Sequence, residues 1–163
     1  MKKLTFLFLS LAFLGYGQKA PAFQNEVKAI QKKYESLWDS SKETIVFIYE
    51  GDNDIASKKK TKDIIDTTRE IIQKIRERNN TTQVVIIAAK PSIARWNLKR
   101  KYIRLNRAFE KLCEEDSALK FANVWDVMMD GKQVKQDIFI GDGLHMNNKG
   151  YDLWFSVIKP YMN

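Results

Sequence analysis

One cysteine, one histidine and three prolines in 163 residues are few, and each scarcity excludes something. A lone Cys113 cannot close an internal disulfide, so the fold has to be held by its core. One cysteine and one histidine cannot make the Cys/His cluster of a zinc site. The seven glycines form no phosphate-cradling loop, so no cofactor is implied and no metal site is expected. Asp52, Asn53 and Asp54 begin like a calcium loop, but Ser57 stands where such a loop needs its sharp-turn glycine, and three lysines follow.

Long apolar runs are scarce as well. The longest, residues 4–14, is shorter than the about 20 residues that span a bilayer. It follows Lys2 and Lys3 and precedes Gly15, Tyr16 and Gly17, the layout of a secretory signal peptide cleaved before Gln18. Residues 1–17 are therefore expected to be a signal peptide and residues 18–163 a single domain, secreted or periplasmic, without stable membrane insertion after cleavage. An uncleaved N-terminal anchor is the alternative.

Positive charge is plentiful: the formal net charge is +8. It gathers in Lys58, Lys59, Lys60 and in Arg95, Lys99, Arg100, Lys101, Arg104, Arg107. Such clusters attract anionic polymers, or they are simply the solvated face of a helix. Export and the lack of a nucleic-acid-binding motif argue against a DNA or RNA partner.

The apolar pattern alternates between helical and strand periods, which predicts a parallel sheet covered by helices. Phe23, Val27, Ile30, Tyr34 and Leu37 fall at helical spacing over 22–39. The run Thr44, Ile45, Val46, Phe47, Ile48, Tyr49 reads as a buried strand. A helix capped by Thr61 carries Ile64, Ile65, Thr68, Ile71, Ile72 and Ile75 and ends at Asn79 and Asn80. A second buried strand covers 84–89, and Pro91 stops it. A basic amphipathic helix with Leu98, Tyr102, Leu105, Phe109 and Leu112 leads to a short strand at 121–125. Asp130, Gly131 and Lys132 form a turn. The last helix, capped by Asn147 or Asn148, packs Leu153, Trp154, Val157 and Ile158 inward as far as Pro160.

Two motifs carry chemistry. Asp142, Gly143, Leu144, His145 places a carboxylate three residues before the only imidazole, where it could orient a general base; otherwise it is a surface turn. Gly51, Asp52, Asn53, Asp54 directly follows a strand, and polar groups there project from the edge at which α/β folds bind ligands. Asn53 could donate its side-chain amide to a developing oxyanion, or it could belong to a plain Asx turn. Trp96, Tyr102 and Trp125 could line a sugar or acyl site, though aromatics at these spacings are usually core or rim.

Taken together the two motifs resemble the SGNH (GDSL-like) hydrolases, specifically a secreted bacterial subgroup. Ile55, Ala56 and Ser57, then Lys90, Pro91, Ser92, Arg95 and Trp96, and finally Asp137, Ile138 and Phe139 agree with that subgroup. The resemblance covers residue 48 onward. It implies a three-layer α/β/α flavodoxin-like fold and hydrolysis of a carboxylic or acetyl ester on a lipid, small molecule or polysaccharide. By the same resemblance His145 is the base, Asp142 its orienter and Asn53 an oxyanion donor.

The family's serine should sit on a Gly-Asp-Ser or Gly-Ser-Ser turn after the first strand, and no such block is present. The stretch from Glu43 to Phe47 looks like that first strand, yet it runs into Ile48, Tyr49, Glu50 and Gly51, which look like the end of a later one. A βαβ unit takes roughly 30 residues, so the expected fold lacks one or two strands along with its nucleophile. Ser40 and Ser41 precede the strand and would lie about 20 Å from its catalytic end. Ser57 and Ser92 follow strand ends and are the remaining candidates, with loop capping as their other role. Two function classes stay open: an ester hydrolase, or a non-catalytic remnant that binds polysaccharide or another anionic polymer.

Overall fold

A computed structural model of the chain describes residues 3–8 and 44–162. The helix expected over 22–39, and Ser40 and Ser41, lie outside the described residues. Among the described residues four strands form one parallel sheet in the order β1-β2-β3-β4: β1 Lys3–Phe8, β2 Thr44–Tyr49, β3 Gln83–Ile87 and β4 Leu119–Ala122. Register runs Phe6 to Phe47, Phe47 to Val85 and Val85 to Lys120. The first strand of the sheet thus falls inside the segment that reads as a leader.

Strict alternation sorts the strand residues onto two faces. Ile45, Phe47, Val85 and Ile87 pack with Val124, Met128, Ile138, Trp154 and Ile158 on one side. Val46, Ile48, Val84 and Ile86 pack with Ile55, Ile64, Ile72, Leu105 and Phe109 on the other. This burial on both faces explains why β2 and β3 read as continuous apolar runs.

On the second face lie α1 Asp52–Ala56, α2 Thr61–Arg78 and α3 Lys99–Glu114. In α2 the buried stripe is Ile64, Thr68, Ile72 and Ile75, one residue per turn. Thr61 does not cap this helix. It is the first helical residue, while Lys60 holds the extended capping position without a side-chain bond. The expected strand at 121–125 ends at Ala122, because the Asn123 side chain accepts the Trp125 amide and starts the one-turn helix α4 Val124–Val127.

A two-residue turn with Gly131 at φ 57° joins β5 Met129–Asp130 to β6 Gln133–Val134. The final helix, α5 Asn148–Ile158, is capped by Asn147, whose side chain accepts the Gly150 amide. Gly150 is required by space: a Cβ there would sit 2.5 Å from the Ile138 carbonyl oxygen.

Candidate active site

Strand β2 delivers its C-terminal end to Gly51, which has φ 91°. A side chain at Gly51 would be strained, and its Cβ would meet Leu105 Cδ2 at 2.4 Å. The turn therefore enters α1 directly, and Asp52, Asn53 and Asp54 lie on a single helical turn rather than in a loop.

Asp52 is buried and gathers four side chains. Its Oδ1 accepts from Arg95 Nη1 at 2.7 Å and lies 2.9 Å from the Tyr102 hydroxyl. Its Oδ2 accepts from the Tyr49 hydroxyl at 3.1 Å and Lys90 Nζ at 3.2 Å. Burial pushes the Asp52 carboxyl up, but the charges of Lys90 and Arg95 and the donated hydrogen bonds outweigh it and hold it below the ordinary range. Burial also lowers the Lys90 ammonium, and Asp52 offsets only part of that shift.

Asn53 is half-buried on the first turn of α1, and no described residue hydrogen-bonds its side-chain amide. That amide is available to an oxygen arriving at the sheet edge.

The second motif sits in a narrow loop closed by a Phe139–Met146 bridge, with the Ile140 amide bonded to the His145 carbonyl at 2.9 Å. Gly143, at φ 64°, lets the chain reverse. Asp142 Oδ1 accepts the amides of Leu144 at 2.8 Å and His145 at 2.9 Å. Its Oδ2 lies 2.5 Å from His145 Nδ1. The imidazole contact and those two amides lower the Asp142 carboxyl to about 2. A carboxylate on Nδ1 holds the ring proton there and leaves Nε2 as the acceptor. The His145 side chain is 70% exposed, so Nε2 can meet a substrate.

The segment after β3 joins the two motifs. Lys90 Nζ donates to the Leu144 carbonyl at 2.9 Å as well as to Asp52, and the Ala94 amide donates to the Gly143 carbonyl at 3.0 Å. Asn53, Asp142 and His145 therefore occupy the same edge of the sheet.

Neither candidate serine hydrogen-bonds His145. Ser92 is buried, and its hydroxyl has no described partner. Ser57 is exposed at the end of α1. No described hydroxyl hydrogen-bonds His145, whose ring contact is with Asp142. Tyr102 is not a lining residue either: it is 2% exposed and spends its hydroxyl on Asp52. Trp96 and Trp125 stack at 6.3 Å, and Lys99 Nζ lies over the Trp96 ring. Among the described residues no group of three or more His, Cys, Asp or Glu side chains is placed to hold a metal ion.

Sequence reasoning missed the buried ionic cluster. Arg95 looks like one more cation of a solvated helix, yet it turns inward onto Asp52. The available signal was a lysine set at the end of the apolar run 84–89 and directly before a proline.

The chain is thus a three-layer α/β domain, with helices on both sides of a parallel sheet and an Asp–His pair at its C-terminal edge. Residues 13–153 match the GDSL-like Lipase/Acylhydrolase family, and the chain belongs to it. No relative was found among curated protein sequences. Solved structures share the fold. A lipolytic G-D-S-L family protein from Veillonella parvula is 18% identical with a TM-score of 0.68, over 85% of this chain and 73% of that one. A GDSL-like lipase from Bacteroides thetaiotaomicron is 20% identical with a TM-score of 0.61, over 72% and 60%. A carbohydrate esterase family 3 protein from Talaromyces cellulolyticus is 19% identical with a TM-score of 0.61, over 72% and 56%. The chain spans less than two thirds of the length of the last two.

Proposed function

We propose that this chain is an exported hydrolase of carboxylic or acetyl esters, with His145 as general base, Asp142 as its orienter and Asn53 as oxyanion donor. Membership of the acylhydrolase family supports ester hydrolysis as the reaction class. The observation that carries the residue roles is the 2.5 Å contact of Asp142 with His145 Nδ1, at the same sheet edge as Asn53. With no described serine on His145, the nucleophile in this reading is water. Nε2 takes a proton from that water as it attacks the ester carbonyl. The Asn53 amide receives the developing oxyanion, and the imidazolium returns the proton to the departing alkoxide. A triad site without its nucleophile retains roughly 10³–10⁴-fold acceleration over solution, so turnover is expected to be slow.

That no described hydroxyl bonds His145 also fits one other reading, a non-catalytic remnant that holds an acyl-bearing or anionic polysaccharide at this edge. Two measurements separate them. The enzyme reading expects slow hydrolysis of an activated acetyl ester that disappears in His145→Ala, with no labelling by a fluorophosphonate. Absence of hydrolysis above background would leave only the binding reading, and hydrolysis indifferent to His145→Ala would sink the role given to His145. Stoichiometric labelling of a serine, abolished by His145→Ala, would instead show that a covalent nucleophile is present.

A further inference from the structure

Lys90 is 7% exposed, and a buried ammonium is costly unless its partners hold it. Arg95 already places a guanidinium on the Asp52 carboxylate at 2.7 Å, so charge balance does not require a second cation. What Lys90 alone adds is its bond to the Leu144 carbonyl, 54 residues further along the chain. Asp52 immediately precedes Asn53, and Leu144 immediately precedes His145. One ammonium thus ties the residue before the oxyanion donor to the residue before the base.

From this we infer that Lys90 is a positioning residue, which sets the distance between the Asn53 turn and the His145 loop. The base of the loop is anchored by Phe139 and Met146, both buried in the core, whereas its tip has few polar ties to the body of the domain among the described residues. Asp142 and His145 are exposed, and the internal bonds from Asp142 to the amides of Leu144 and His145 shape the loop without fixing where it sits. The Ala94 amide, from the same segment as Lys90, supplies a second tie at Gly143. Lys90 Nζ donates to two acceptors and is shielded from water, so its geometry is fixed in a way that an exposed lysine's is not.

The catalytic part of this inference rests on the ester-hydrolase reading, whereas the structural part does not. The test is Lys90→Met, which keeps the stem and removes the ammonium. Lys135→Met serves as control, because Lys135 Nζ also donates to a backbone carbonyl, that of Val127 at 2.8 Å, beside the β5–β6 hairpin. His145-dependent hydrolysis should lose kcat by about 100-fold in Lys90→Met with KM changed by less than about threefold, while the control keeps both. Independently of turnover, hydrogen exchange at the Leu144 and His145 amides should quicken about tenfold in Lys90→Met relative to the control, and the His145 ring signals should move.

If wild-type turnover is absent, the ester-hydrolase reading fails and the exchange measurement still decides the role of Lys90. If Lys90→Met does not fold, Lys90→Gln takes its place: it keeps a polar end in the buried site but is too short to span Asp52 and Leu144, and Arg95 still balances the Asp52 carboxylate. Exchange and ring signals indistinguishable from the control would overturn the inference, as would failure of both variants to fold, which would make Lys90 a determinant of folding instead.

Discussion

Glu50, the last residue before the Gly51 turn, is 3% exposed and accepts the hydroxyl of Thr68 from α2. The Thr68 oxygen also lies 2.8 Å from the Ile64 carbonyl oxygen; its one proton serves one acceptor at a time, and a protonated Glu50 can donate to Thr68 while Thr68 donates to Ile64. Burial raises the Glu50 carboxyl to about 7, with Asp54 adding to the rise and Thr68 and Lys59 opposing it.

A pH dependence of stability follows from that buried carboxyl. An unfolded glutamate titrates near 4.3. Between there and about 7 the folded chain binds more protons than the unfolded one, so this group lowers stability as pH rises across the window. Glu50→Gln keeps the acceptor and removes the charge. Its melting temperature should be close to wild type at pH 4.5 and exceed it by several degrees at pH 8, a difference that thermal melts across the range would measure.

Asp142→Asn should separate orientation from loop structure. Asparagine keeps an oxygen for the two loop amides but presents N–H to His145 Nδ1, which moves the ring proton to Nε2 and removes the base. His145-dependent ester hydrolysis should fall at least about 100-fold with little change in melting temperature. Because the Asp142 carboxyl is lowered to about 2, its contribution to folding is complete above the ordinary carboxylate range and is lost only as pH drops toward 2. An acid limb of the rate profile above pH 4 therefore belongs to another group.

The elements most legible in sequence were those whose apolar period is uninterrupted. Thr44–Tyr49 was recovered residue for residue, and the helical stripes of α2 and α3 fell where Ile64, Ile72, Tyr102 and Phe109 are buried. Boundaries failed where a side chain competes with the ladder, as Asn123 does at the end of β4. Of the candidate site, Asn53, Asp142 and His145 are legible because each belongs to a short motif beside a turn. Asp52, Lys90, Arg95 and Tyr102 are not, since three-dimensional convergence from α1, the segment after β3, and α3 leaves no local spacing to detect.

Gly150→Ala offers a test of packing against propensity. Alanine in an exposed helix interior normally gains about 1 kcal/mol over glycine. Here its Cβ would lie 2.5 Å from the Ile138 oxygen and 2.9 Å from Met146 Cβ, so α5 must move away from the His145 loop. The expected outcome is a loss of about 1–3 kcal/mol in urea denaturation. A gain would mean that the contact between α5 and the loop yields easily.

Removal of residues 1–17 bears directly on the sheet. Cleavage before Gln18 would take away β1, whose six residues pair in parallel register with β2. Ile45, Val46, Phe47 and Ile48 are each no more than 2% exposed, so the edge left behind would be flat, apolar and unpaired. Such an edge is a template for pairing with another chain. A chain beginning at Gln18 should therefore melt below the full chain and associate in a concentration-dependent way that light scattering detects. A lysine placed at Ile45 would be too buried to test this cleanly, but deletion of residues 1–17 does so without altering β2. Equal melting temperatures and a monomeric shortened chain would show that the β2 edge does not need β1.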